Sequence, residues 1–211
     1  MCVILPEYED LIIFDKGGCK DYMKQNTKIL KGEKSKAQLI ECASRLFLEK
    51  GYNATGINEI INSAGLSKGS FYFYFSSKKD LAISVAEYYN QIMLTDIAKT
   101  AKDKTWEAFV EKLVGDLLKK AKGGKSFGCP MAVLGMETAI LDPDIAAKNY
   151  ASLQSIIAIF TDVLKRSGVS EEKATSSAER AFAIYEGYLL LYRLGKDLHE
   201  LEKLLRDLKE I

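Results

Sequence analysis

The densest chemistry in the sequence is Ser67-Lys68-Gly69-Ser70, followed by Phe71-Tyr72-Phe73-Tyr74-Phe75. Two hydroxyls, an ammonium and free backbone N–H groups at the positive end of a predicted helix suit a phosphate, and short side chains there can reach base edges. Gly69 lets the backbone approach a duplex closely. Tyr72 and Tyr74 carry hydroxyls able to bond phosphate or base, and Phe73 can meet a thymine methyl by apolar contact. Phe71 and Phe75, four apart, are expected to face the core. A second group lies further on. Cys129 opens a predicted helix, where the dipole would lower its thiol pKa and make it a candidate sensor of oxidants or electrophiles; a small buried capping residue is the plainer alternative. Glu137 and Glu186 sit amid apolar neighbours, where an unpaired carboxylate is costly to bury. Facing a cavity, they would favour a cationic or hydrogen-bonding aromatic ligand; otherwise they pair with a nearby Lys or Arg.

Other chemistries have no material to work with. Cys2, Cys19, Cys42 and Cys129 share no CxxC spacing and the chain has a single histidine, His199, so no metal site and no cofactor are expected. That histidine has no Ser and Asp set around it, and no phosphate-cradling glycine loop follows a strand, so no enzyme is expected. The simplest compartment is a reduced, cytoplasmic one, with Cys42 as core packing. No stretch free of Asp, Glu, Lys and Arg exceeds about 13 residues, short of the roughly 18 to 20 that a membrane span needs, and Glu7, Glu9 and Asp10 stand where a signal peptide carries positive charge.

With 30 basic against 29 acidic side chains, the whole chain carries +1. The balance is uneven: 3 basic against 5 acidic up to residue 27, 9 against 6 from 28 to 90, and 18 against 18 beyond. The positive surplus therefore sits with the Ser67–Tyr74 segment.

Apolar residues after Lys34 recur at three and four, so the fold class is all-α. A first helix is expected from Ser35, with Ser35 and Gln38 as a capping box, to a stop at Gly51. A short helix capped by Thr55 carries Ile57, Ile60 and Ile61 to Gly65, and a third, capped by Ser67, runs near Lys68 to Phe75. These two short helices, joined by a tight glycine turn, have helix-turn-helix geometry. Ser77 and Asp80 open a fourth. Longer helices follow at about Thr105–Lys120, Cys129–Ile140, Asp144–Arg166, Glu171–Leu194 and Asp197–Lys209. Residues 1 to 27 fit no helix and read as an appendage, either two short strands or an arm; an unused upstream start codon, with Met23 nearer the folded domain, is equally compatible.

The stretch from Ala37 to Leu81, AQLIECASRLFLEKGYNATGINEIINSAGLSKGSFYFYFSSKKDL, resembles the N-terminal DNA-binding domain of the TetR family of transcriptional regulators. The shared pattern is Phe-x-x-x-Gly-Tyr, Thr, Ile, Ala-Gly, Ser-Lys-Gly-Ser-Phe-Tyr, Phe and Ser-Lys. The resemblance implies a three-helix helix-turn-helix domain at about 28 to 90, a linking helix at about 78 to 100, and a helical effector-binding and dimerisation domain over 91 to 211. Carried over by position, Thr55 and Asn58 touch phosphate or a base edge from the second helix. Lys68, Gly69, Ser70 and Tyr72 take the base and phosphate contacts, Tyr74 a phosphate, and Lys78 sits where the fourth helix clamps the backbone. Asn58 and Phe73 depart from the family's more basic or polar choices. The lysines ahead of the first helix, Lys24, Lys28, Lys31, Lys34 and Lys36, would add attraction indifferent to sequence.

The resemblance further implies a homodimer on a double-stranded, pseudo-palindromic DNA operator, released as a repressor by a small-molecule effector. The pool for the effector pocket is Trp106, Phe109, Phe127, Met131, Met136, Tyr150, Phe160, Tyr185 and Tyr188. The expected ligand set is Trp106, Phe109, Phe127, Met131, Glu137, Tyr185, Glu186 and Tyr188. "GCPMAVLGME", Gly128 to Glu137, resembles a subgroup whose helix starts with Gly-Cys. Small residues on the two long helices, from Ala146 to Ala158 and Ala174 to Gly187, allow the close helix approach of a four-helix dimer interface. Two other readings stand beside this one: a repressor switched by oxidation or alkylation of Cys129, and an all-α small-molecule binder or enzyme with a vestigial helix-turn-helix.

Overall fold

A computed structural model of the chain describes residues 31–124 and 128–211. The expectations for the segment 1–27, for Cys2 and Cys19, for Lys24 and Lys28, and for Phe127 lie outside these residues. Every element among the described residues is a helix: α1 Lys31–Lys50, α2 Ile57–Ala64, α3 Lys68–Tyr74, α4 Lys78–Ala101, α5 Trp106–Lys122, α6 Pro130–Thr138, α7 Pro143–Arg166, α8 Glu171–Gly195 and α9 Leu198–Lys209. They fall into two compact units, 1–88 and 89–211, with α4 beginning in the first and ending in the second.

In the first unit α1 packs on α2 and α3. The stripe Leu39, Cys42, Ala43, Leu46 and Phe47 meets Ile60, Ile61, Phe71 and Phe75 in a shared core. α1 starts four residues ahead of Ser35, so the expected capping box lies inside the helix, and Gln38 instead donates its Nε2 to the Ala64 carbonyl, 2.6 Å away. Arg45 reaches Ser63 Oγ at 2.8 Å. Both bonds fix the end of α2 against α1, and with it the start of the turn. Gly65 takes φ +64° there, a left-handed conformation that disfavours any side chain. Cys42 is fully buried in this stripe, as expected of a packing residue.

In the second unit α7 packs along α6 and α8, and α9 covers α5 and α8. Phe160 is the hub, with Trp106, Phe109, Phe182 and Tyr185 around it at ring-centroid distances of 5.3 to 6.3 Å. Several caps follow the local code: Thr105 accepts from the Ala108 N–H, Pro143 occupies the first turn of α7, and Asp197 accepts from the His199 N–H. No helix among the described residues is long and apolar enough to cross a membrane.

Candidate nucleic-acid interface and effector site

α3 is short because its neighbours stop it. Ser67 caps its start, accepting from the Ser70 N–H at 3.1 Å, and the chain turns extended at Phe75. Seven residues allow two turns, so alternation of burial is abrupt: Phe71 and Phe75 are buried, Tyr72 is 50% exposed and Phe73 80% exposed. Lys68 and Gly69 are exposed with them, and Tyr74 is half-buried. The Lys68 ammonium lies 6.0 Å from the centre of the Tyr72 ring, a separation at which the ring's negative face steadies the cation. The Ser67 and Ser70 hydroxyls bond each other at 3.0 Å. Asn58 is exposed on α2. The structure therefore gathers Asn58, Lys68, Gly69, Tyr72 and Phe73 as exposed groups of one small unit.

Two expected DNA contacts are placed differently. Thr55 is 1% exposed; its hydroxyl donates to the Gly51 carbonyl at 2.7 Å and lies 3.4 Å from that of Leu46. It neither caps α2, whose capping position is Gly56, nor offers a hydroxyl to phosphate. Lys78 donates its ammonium to the Tyr52 carbonyl at 2.9 Å and the Thr55 carbonyl at 3.2 Å, 4.4 Å over the Tyr52 ring. These two side chains hold the corner between α1 and α2 against the start of α4. The signal was the same residue types that suit phosphate; only their neighbours across the unit separate the two roles.

In the second unit the polar centre is Cys129 with Glu186. Gly128, at φ +91°, lays its backbone against α8, where a Cβ would come 3.5 Å from Arg193 Cδ and 3.7 Å from the Leu189 carbonyl. That approach delivers Cys129, at the capping position of α6, to the side chain of Glu186 on α8. The Cys129 thiol and the Glu186 carboxyl are close enough to shift each other's protonation, while Glu186 Oε1 is buried with no hydrogen-bond partner. Burial raises the Glu186 pKa to about 7, moderated by the thiol. No cation acts on it there, so the expected pairing with Lys or Arg does not occur.

Burial first, and then the Glu186 charge, push the Cys129 thiol well above its ordinary range, overriding the Met131 and Ala132 N–H groups that favour thiolate. The helix-start effect expected for this cysteine is present but outweighed. The neighbouring Tyr185 phenol is raised too, by burial and then by Cys129 and Glu186.

The remaining expected ligand residues divide. Met131 is fully buried beside this centre in sequence, on the first turn of α6. Trp106 and Phe109 belong to the Phe160 core; the Trp106 indole donates to the Leu208 carbonyl at 2.8 Å. The Tyr188 hydroxyl donates to Asp207 Oδ2 at 2.5 Å, tying α8 to α9. Glu137 is half-buried. Met136 and Tyr150 point outward, 62% and 64% exposed, because the α6 and α7 positions beside them that pack inward are Leu134 and Asn149.

Sequence reading missed Asn149, which lies on the buried stripe Ile145, Asn149, Ser152, Ile156 of α7; its Nδ2 donates to the Ile145 carbonyl and its Oδ1 has no partner. Its spacing of four from Ile145 was the available signal. It also missed Asp96 and Lys120. Burial raises the one and lowers the other, and each is partly restored by the opposite charge.

Residues 39–85 match the family described as bacterial regulatory proteins, tetR family, and residues 103–206 match the C-terminal domain described as transcriptional regulator LmrA/YxaF-like. The chain belongs to the TetR family of transcriptional regulators. It is 29% identical over 171 residues to YxaF of Bacillus subtilis, an uncharacterised HTH-type transcriptional regulator, covering 77% of this chain and 87% of that one. It is 22% identical over 186 residues to the HTH-type transcriptional repressor NemR of Escherichia coli strain K12, covering 84% and 93%. A TetR-family regulator from Agrobacterium tumefaciens shares the fold, with TM-score 0.76 and 22% identity over 85% of this chain and 98% of that one.

Proposed function

We propose that this regulator is a homodimeric repressor that binds a pseudo-palindromic operator through α3 and is released by a small molecule bound in its second unit. The observation that carries the DNA reading is the exposed set Lys68, Gly69, Tyr72 and Phe73 on a helix rigidly backed by Phe71 and Phe75. A helix of this length fits the roughly 12 Å width of the major groove, and a two-fold dimer offers two of them to successive grooves. The name of NemR supports repression rather than activation.

Dimerisation is supported by what α7 and α8 leave uncovered. Ala174, Ala178 and Ala181 are buried within the chain, whereas Ala183, Gly187, Leu190, Leu191 and Leu194 are exposed at helical spacing on α8. Ala147, Tyr150, Ala151 and Ala158 do the same on α7. Small residues amid large apolar ones suit the close crossing of helices from a second copy.

The effector reading rests on Glu186. A buried carboxyl with a free oxygen and no cation is satisfied by a ligand's N–H or O–H donor, and the buried Tyr185 ring next to it favours an apolar body. Effector and operator then oppose each other through a reciprocal coupling of affinities.

The deciding experiment is an electrophoretic shift with the DNA upstream of the protein's own gene. The expected result is a discrete complex that survives excess unrelated DNA and is lost in the Lys68→Ala, Tyr72→Ala double variant; only salt-sensitive, sequence-indifferent binding would overturn it. Cys129 serves here as the buried neighbour of Glu186. Diamide should accordingly act alike on wild type and Cys129→Ser, and selective release of the wild type would restore the thiol-switch reading.

A further inference from the structure

The surface of α3 is poor in the groups that read purines. None of its seven residues is Arg, Asn, Gln, Asp or Glu, and Lys68 alone among them is suited to a guanine edge. The Ser67 and Ser70 hydroxyls are bonded to each other, and Lys68 is a single flexible point charge. The largest exposed group is the Phe73 ring, 80% exposed. Every other phenylalanine among the described residues is buried, so this ring contributes little to the fold. Its ring contact within the unit is the edge of Tyr74, with centroids 4.9 Å apart and planes at 90°.

One helical turn earlier on the same face stands Gly69, where a Cβ would meet nothing nearer than Ser67 Oγ at 3.8 Å. The fold leaves room for a side chain there, yet none is present. Bare backbone beside a projecting ring lets α3 sink until the ring reaches base edges. In the major groove one base presents an apolar group, the C5 methyl of thymine.

We propose that Phe73 determines operator specificity by reading the C5 methyl of a thymine in each half-site. This rests on the DNA-regulator reading above. The Phe73 ring covers the methyl and excludes water from it, Lys68 and Tyr72 hold the adjacent backbone, and cytosine or uracil at that position leaves the ring against a hydrated edge.

The test uses the full chain and a duplex it enriches from a randomised pool. Failure to enrich any duplex overturns both readings. Each thymine of the enriched duplex is replaced singly by uracil, which removes the methyl and leaves pairing intact. The expected result is one position per half-site at which uracil weakens wild-type binding about fourfold, the effect of one buried methyl-sized group. Phe73→Ala should bind the thymine and uracil duplexes equally, while Phe73→Leu keeps part of the preference. If uracil is neutral at every position, or if Phe73→Ala keeps the wild-type preference, the methyl reading is wrong while DNA-specific binding stands.

Discussion

On α3 a phenylalanine ring stands in solvent two residues from the fully buried Phe71; on α8 a carboxyl oxygen of Glu186 is sealed away from water without a partner. The two regions depart from ordinary burial in opposite directions. Apolar surface turned outward is covered by a large partner that arrives from outside. A polar atom turned inward is satisfied by something small enough to enter. On the proposed function, the contrast assigns the two tasks of the molecule to two kinds of unsatisfied group.

The sharpest break in that comparison is within α3 itself. Phe71→Ala should lower stability by about 3–5 kcal/mol through lost burial and a residual cavity, whereas Phe73→Ala should change it by less than about 0.5 kcal/mol; urea denaturation followed by circular dichroism measures both. Similar losses for the two would mean that Phe73 belongs to the core.

Glu186→Gln tests the other side. In the folded chain Glu186 holds its proton up to about pH 7, against a usual value of 4.5. Its contribution is therefore complete below about pH 4.5 and is lost as pH rises through 7, because the buried carboxylate lacks a cation. The amide keeps the shape without the charge, so at pH 8 it should be the more stable by on the order of 3 kcal/mol, with no difference near pH 4. Thermal unfolding midpoints at the two pH values decide this, and a destabilised Gln variant at pH 8 would point to an ion pair.

Lys78→Ala should destabilise the first unit by about 1–3 kcal/mol, since it leaves the Tyr52 and Thr55 carbonyls short of a donor. It should leave the salt dependence of DNA binding unchanged, where loss of a phosphate contact would reduce the slope by about one. The smallest change runs the other way. Gly69→Ala should stabilise α3 by about 0.5–1 kcal/mol while weakening operator binding, because the added methyl fits the fold and obstructs the groove.

Much of the architecture was legible residue by residue. The periods of Leu39–Phe47 and Ile57–Ile61, the Ser67 cap and Gly65 in the turn are local features, and each acts within a turn or two of itself. The exposed reading face followed from the same pattern, because with Phe71 and Phe75 inward, Tyr72 and Phe73 have to face out. Trp106, Phe109 and Tyr188 were harder to assign. An aromatic on the inner face of a helix looks the same whether it lines a ligand site, fills a core or ties one helix to another, and the indole bond to Leu208 spans 102 positions.

The sequence by itself determined the class of helices, their punctuation, the helix-turn-helix and the chemistry exposed on α3, since all of these depend on neighbours three or four residues apart. Tertiary structure decided the rest. It tied the Lys78 ammonium to carbonyls 26 and 23 residues away and sealed Thr55 in the core with its hydroxyl on the Gly51 carbonyl. It also set the Cys129 thiol against Glu186, where desolvation outweighs the helix start. A hydroxyl, an ammonium or a thiol carries no mark of its partner; which group reaches it, and how much water remains, is settled when distant helices pack.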